Sequence, residues 1–197
     1  MISDAVEKFT VRPDGRIVSQ EPILTLQYDT RNEERRTLSL AGEQFPCYVV
    51  KRRSKLGGVW GHKFRVYFTN GGQEVAGIGF HSIPPRIEID LVRDNRKHKI
   101  KTHNTVRQHD ASGGLGRLYW KGASMLAPEK GAWKLRSTKG LVLLVTADDT
   151  QGGGLISLYK KGLDENAIEE LVLLGIAQIE EHIRLSRIYT KTVALTS

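Results

Sequence analysis

The chain of 197 residues has few of the features that cross-link a protein or anchor it in a membrane. It has one cysteine, Cys47, which excludes an internal disulfide, and only 7% of its residues are aromatic. Its most apolar run, residues 171–177 (LVLLGIA), is far shorter than the roughly 20 residues that a spanning helix needs. The first eight residues include acidic side chains and no apolar segment, so we expect no secretory signal. These absences predict a reducing, cytoplasmic location, with peripheral membrane association as an alternative.

The composition is that of an ordinary globular protein, with 39% hydrophobic and 26% charged residues. This length suits one domain with a core of its own. No Pro/Ser-rich linker or fixed-period repeat divides the chain. We therefore predict a single domain over residues 1–197, of which 1–16 and 187–197 are candidates for peripheral segments.

Most of the chain has the pattern of short β-strands, in which apolar side chains alternate with polar ones. Glycine-rich and Asx-rich turns separate the apolar stretches, as at Asn70-Gly71-Gly72. Between the strands, Arg93–Asp110 is polar enough to predict a long exposed connection. The ten predicted strands are Ile23–Tyr28, Thr37–Leu40, Cys47–Lys51, Lys63–Phe68, Val75–His81, Arg86–Leu91, Arg117–Lys121, Ala132–Arg136, Leu141–Thr146 and Leu155–Lys160.

The C-terminal segment has a helical pattern from about residue 165 to 184. Asp164 is a candidate N-cap, and Leu163 and Ile168 occupy the positions of a hydrophobic staple. A helix that is apolar on all sides must be buried on all sides. Gly175 in its interior costs about 1 kcal/mol relative to alanine, which predicts a close approach of backbone from a surrounding strand. The fold class is therefore β with one central helix, around which the sheet of strands wraps.

Five stretches of the second half carry a resemblance to a known fold: Gly116–Lys121, Trp133–Leu135, Leu141–Thr146, Gly154–Tyr159 and Leu163–Arg184. They resemble the tubby-like fold shared by tubby proteins, phospholipid scramblases and LURP-one-related proteins, and are most similar to a fungal tubby-like domain of unknown function. This resemblance implies a closed antiparallel barrel of about 10–12 strands, twelve in the family, around the hydrophobic helix. The chain has neither the phosphoinositide-binding positions of tubby proteins nor the cysteine-rich segment of scramblases, so any link to their ligands is an analogy.

The net charge of +8 is concentrated in residues 51–107, which hold thirteen Lys/Arg and four Asp/Glu. Such a patch attracts anions: phosphoinositide headgroups, acidic membranes, acidic proteins or nucleic acid. A solvated edge that discourages aggregation is the competing interpretation. The candidate anion-binding residues are Lys51, Arg52, Arg53, Lys55, Lys63, Arg65, Arg93, Arg96, Lys97, Lys99 and Lys101.

The sequence favours a non-enzymatic module that recognises an anionic surface, most simply membrane phosphoinositide. The alternatives are a protein-interaction or scaffold domain, which could be oligomeric and in which the basic patch is incidental, and, ranked lower, a nucleic-acid-binding protein. His98, His103, His109 and Asp110 match no standard zinc spacing. No nucleophile, base and orienting group can be assembled, so we expect no catalytic residues, no metal and no cofactor.

Overall fold

A computed structural model describes residues 20–53, 63–82, 85–92, 96–100, 108–111, 114–122, 131–148 and 152–196. Within these ranges it contains twelve β-strands followed by one α-helix, α1 (Glu165–Thr196). The strands are β1 (Leu24–Asp29), β2 (Arg35–Leu40), β3 (Pro46–Arg52), β4 (Lys63–Phe68), β5 (Glu74–Ser82), β6 (Pro85–Leu91), β7 (Arg96–Ile100), β8 (Gln108–Ala111), β9 (Gly116–Gly122), β10 (Gly131–Ser137), β11 (Gly140–Ala147) and β12 (Gly153–Leu158).

All twelve strands form one antiparallel sheet in the order β7-β6-β5-β4-β3-β2-β1-β12-β11-β10-β9-β8. Two meanders, β1–β7 and β8–β12, are joined where β1 pairs with β12. All ten predicted strands are present. Their apolar side chains lie on one face or on both faces of the strand, and a sheet can bury either arrangement. The pattern over Lys63–Phe68 predicts the limits of β4 correctly.

The prediction of a long connection over Arg93–Asp110 was wrong, because this stretch contributes β7 and most of β8. Register explains why these strands exist despite their polar sequence. β7 pairs with β6 through five consecutive positions, and β8 pairs with β9 through four. Backbone hydrogen bonds to an existing strand therefore specify them, with little contribution from apolar alternation.

The predicted closure into a barrel is not found in the described part of the chain. β7 and β8 are the two edges of the sheet order, and no ladder joins them there. The sequence of β7, RKHKI, carries three cations in five residues, a composition that protects an edge from pairing. The described residues therefore form an antiparallel sheet with one buried helix. They do not form a closed barrel.

Helix α1 begins at the predicted cap. The backbone N–H of Ala167 donates to Asp164 Oδ1 at 2.7 Å, and both staple residues, Leu163 and Ile168, pack against the core. The helix ends twelve residues later than the predicted limit of 184. Residues 185–196 contain no glycine or proline, so nothing in the sequence terminates the helix there.

The curved sheet surrounds the helix from several sides. Every residue from Glu169 to Glu181 is buried, and α1 contacts β5 and β6 on one side and β11 and β12 on the other. A Cβ at Gly175 would lie 2.7 Å from Ile156 Cγ2 of β12. A strand does approach Gly175 closely, but the Ile156 side chain makes the contact and not the strand backbone that was predicted. The helix is the centre of the core.

Candidate anion-binding site

Basic side chains on three neighbouring strands occupy one face of the sheet, here called the outer basic face: Arg35, Lys51, Arg53, Lys63 and Arg65. Register places Arg35 opposite Lys51 and Lys51 opposite Arg65. The N–H of Arg53 donates to the Lys63 carbonyl at 2.9 Å, which brings those two residues together at the ends of their strands. Four of these side chains are exposed, and Arg65 is partly buried. Residues that are paired across strands lie about 5 Å apart, so the row forms one continuous cationic surface.

Two local contacts order this face. Arg65 forms an ion pair with Glu74 of β5, and its guanidinium lies across Gly77, where a Cβ would be 3.4 Å from Nη1. Lys51 Nζ lies 5.2 Å from the centre of the Tyr67 ring. Both residues of the ion pair are about one-third exposed, so the pair is screened by solvent and holds the Arg65 side chain only weakly. The charge of Arg65 is partly compensated by Glu74.

Arg52 lies on the other side of the sheet from the rest of the predicted group. It is opposite Phe64 in the ladder, and Phe64 is buried. Its Nε is buried, and its charge acts on Glu180 of the central helix. Since side chains alternate along a strand, consecutive basic residues cannot share a face. The run Lys51-Arg52-Arg53 is therefore divided between the outer basic face and the interior.

The remaining predicted residues are not found on the outer basic face within the described ranges. Register places Arg96, Lys97 and Lys99 of β7 opposite Leu91, Asp90 and Glu88 of β6. In the sheet order, β5 and β6 separate β7 from β4. Lys55, Arg93 and Lys101 lie outside the described residues.

Sequence reasoning missed a second group of charges, which lies inside the sheet. Arg36 of β2 is only 2% exposed, and its Nε lies 2.5 Å from Oε1 of Glu180, itself 3% exposed. The Tyr28 hydroxyl of β1 donates to the same oxygen at 2.8 Å. Arg184 lies one turn further along α1, and its guanidinium carbon is 6.0 Å from the Phe80 ring centre. Arg187 lies two turns further along and pairs with Glu33 at 2.9 Å.

Burial dominates the protonation equilibria of this interior group. Desolvation raises the pKa of Glu180 above the ordinary carboxyl value, while Arg36, Tyr28, Arg187 and Arg52 oppose that rise. Desolvation, followed by the negative charge of Glu180, raises the pKa of the Tyr28 phenol well above 10.0. The phenol therefore remains a hydrogen-bond donor at neutral pH.

The sequence contains a signal for Arg35 and Arg36, but the predicted strand does not include them. The predicted strand began at Thr37, whereas β2 begins at Arg35. Extending the alternation by two residues puts Arg36 on the face of Leu38, which is fully buried. A charged residue at a core position indicates a buried partner, but nothing in the sequence pattern identifies that partner as Glu180.

No protein-family model matches the chain, and no curated protein matches it. One similar solved structure is the X-ray structure of a protein from Arabidopsis thaliana, with 11% sequence identity, a TM-score of 0.46, and coverage of 81% of this chain and 92% of that one. This likeness is too low to support a functional conclusion. The class defined by the fold is an antiparallel β protein with one buried C-terminal helix among its described residues.

Within the residues that the structure describes, no helix combines the length and the apolar character needed to cross a bilayer.

Proposed function

We propose that this protein is a non-enzymatic binding module that recognises an anionic surface, phosphoinositide or acidic membrane, through the outer basic face. The observation that carries the proposal is the row Arg35–Lys51–Arg65 across β2, β3 and β4. Arg53 and Lys63 extend the row at one end. Exposed cations on a rigid sheet keep their spacing, so an anionic surface meets all of them at once. The protein would then associate peripherally with the membrane.

The expected affinity follows from the number of cations. A lysine or arginine near an anionic membrane contributes about 1 kcal/mol at physiological ionic strength. Five such residues, one of them partly compensated by Glu74, contribute on the order of 4 kcal/mol. This corresponds to weak, salt-sensitive binding, so the proposal predicts reversible recruitment that disappears at high ionic strength.

Liposome co-sedimentation tests the proposal. We expect the full chain to bind vesicles that contain phosphoinositide or phosphatidylserine and not neutral vesicles. The double variant Lys51→Gln/Lys63→Gln should lower the partition coefficient about 30-fold, since two cations contribute about 2 kcal/mol. The control is Lys139→Gln/Lys161→Gln, which makes the same charge change at two exposed lysines elsewhere. Binding that ignores lipid charge and salt, or equal losses in both variants, would refute the proposal.

A protein-interaction role is the alternative, and one observation favours it. Phe45, in the turn before β3, is 83% exposed, which is unusual for a large aromatic side chain. If this side chain docks on another protein, light scattering on a size-exclusion column should show an assembly that Phe45→Ser abolishes. Lys51→Gln/Lys63→Gln should leave such an assembly intact.

Nucleic-acid binding is the lowest-ranked hypothesis. It predicts a linear fall of log affinity for DNA or RNA with log salt concentration, and no dependence on lipid.

We also propose that the chain is a tubby-like protein. Twelve antiparallel strands followed by one buried helix support this assignment. No comparison supports a fungal subgroup. A complete tubby-like barrel requires β7 to meet β8, so hydrogen-exchange protection of the β7 amides and cross-strand nuclear Overhauser contacts between β7 and β8 are the test. Rapid exchange at both edge strands would contradict it.

A further inference from the structure

Four arginines converge around the C-terminal part of α1, on the side of the sheet opposite to the outer basic face. Arg36 comes from β2, Arg52 from β3, and Arg184 and Arg187 from the helix. The charges of Arg36, Arg52 and Arg187 all act on Glu180. Residues four apart in a helix share a face, so Arg184 belongs to the same side as Glu180. We call Arg36, Arg52, Arg184 and Arg187 the inner arginine cluster.

Arg36 and Arg187 have acidic or carbonyl partners within the chain. Arg36 pairs with Glu180, and its Nη1 donates to the Glu33 carbonyl at 2.5 Å. Arg187 pairs with the Glu33 carboxylate at 2.9 Å. The protein thus uses both carboxylates to hold the edges of the cluster.

Arg184 differs from them. Its Nε is buried and has no hydrogen-bond acceptor among the residues that the structure describes. Its contact there is with the face of Phe80, whose ring centre is 6.0 Å from the guanidinium carbon. A buried N–H of a charged group without an acceptor is costly, more so than a neutral one. The buried N–H of Arg184 therefore leaves a place for an acceptor that no described residue supplies.

The cluster is reachable from solvent and has an apolar wall. Arg187 is 41% exposed, and Arg52 and Arg184 are partly exposed, whereas Arg36 behind them is buried. Phe64 and Phe80 pack edge to face beside the arginines with ring centres 5.9 Å apart. Guanidinium groups against aromatic rings, with limited access to water, strengthen charge-assisted hydrogen bonds to an entering anion.

We propose that the inner arginine cluster binds the phosphate group of a small molecule, with Arg184 as the principal ligand-binding residue. The planar guanidinium can donate two parallel hydrogen bonds to two oxygens of a phosphate. The ammonium group of lysine does not provide this bidentate geometry. Arg187 and Arg52 add positive charge on the side of the cluster that reaches solvent. This site is separate from the outer basic face and does not depend on membrane binding, because a sheet lies between the two.

Thermal unfolding of the full chain tests the site with inorganic phosphate and pyrophosphate as probes, against sodium chloride at equal ionic strength. At a probe concentration about ten times its Kd, we expect the wild-type Tm to rise by about 3–6 °C. Arg184→Gln should lose this rise, and Arg184→Lys should keep less than half of it. Lys139→Gln, the same charge change in an exposed turn, should keep all of it.

Two results would overturn the proposal. The first is no phosphate-specific rise in the wild type, and the second is an equal rise in Arg184→Gln. Lys51→Gln/Lys63→Gln should retain the rise, so failure of this site and failure of membrane binding are distinguished.

Discussion

Two stretches of helix α1 lie inside the same sheet but are held by different forces. Leu171–Ala177 has only apolar side chains, and a glycine fits it against Ile156. Glu180–Arg187 carries ionic and hydrogen-bonded contacts to Tyr28, Arg36 and Glu33. Apolar burial is non-directional and scales with area, whereas a buried ion pair depends on both partners and on geometry. The first stretch therefore supplies stability, and we infer that the second fixes the rotation of the helix in the sheet.

The largest effect should come from breaking the charged stretch. Glu180→Ala leaves the Arg36 guanidinium, 2% exposed, without its carboxylate, so we expect the free energy of unfolding to fall by about 3–5 kcal/mol. Urea unfolding followed by circular dichroism measures it. The control is Glu21→Ala, an exposed glutamate outside the sheet, which should change stability by less than about 0.5 kcal/mol.

The double variant Arg36→Met/Glu180→Leu separates the cost of an unpaired charge from the contribution of the pair. Replacing a buried ion pair with apolar side chains of similar size is often neutral or stabilising. We expect the double variant to recover most of the stability that Glu180→Ala loses. A double variant as unstable as the single one would show that the charges themselves stabilise the fold, which reverses the division drawn between the two stretches.

The apolar stretch should respond to loss of volume. Leu171 is fully buried, so Leu171→Ala should cost about 2–5 kcal/mol through lost burial and the cavity that remains. Leu155→Ala is the matched control, because Leu155 is a leucine of β12 that is 42% exposed; it should cost less than about 1 kcal/mol. Equal losses in the same denaturation experiment would mean that the sheet does not close tightly around this part of the helix.

A smaller effect is expected where the helix begins. Asp164→Ala removes the side-chain acceptor of the Ala167 N–H and should cost about 1 kcal/mol. Asp164→Asn keeps an acceptor at the same place and should lose only a fraction of that. Thermal unfolding of the two variants measures the difference. Similar Tm values for both would show that the charge at the helix N-terminus, and not the cap, stabilises this end.

The smallest effect is the pH dependence from His182, which lies within the charged stretch. Its ring lies 5.0 Å from the Trp133 ring, and burial lowers the pKa of the imidazole below its ordinary value of 6.5. The unfolded state therefore binds the proton first as pH falls, so stability decreases below about pH 7. In His182→Gln, the free energy of unfolding should fall less between about pH 7 and pH 5. An unchanged slope would mean that His182 stays accessible to water when folded.

The predictability of the fold varied with the strength of the apolar pattern. The alternation over Lys63–Phe68 and the cap at Asp164 were sufficient to place β4 and the start of α1. β7 could not be found this way, because its sequence RKHKI has one apolar residue and the strand exists through pairing with β6. The predicted limit of 184 was wrong because no glycine or proline follows it to end the helix, which continues to Thr196.

Of the candidate site, only the excess of positive charge could be predicted from the sequence. The excess of Lys and Arg over residues 51–107 pointed to Lys51, Lys63 and Arg65, which the register places on neighbouring strands. It also grouped Arg52 with them, although that side chain faces the interior. Charge density along a sequence ignores the alternation of faces, and it gave no indication of Arg36, whose partner is 144 positions away in the chain.

The sequence by itself determined the strand-rich architecture, the buried helix and the location of excess positive charge, because these depend on local pattern and composition. Only the tertiary structure decided which cations share a face, which are buried, and which acid meets Arg36. Those outcomes depend on strand register and on the rotation of α1, which are set by contacts between residues far apart in sequence. A shift of one residue in register would exchange Lys51 and Arg52 between surface and interior.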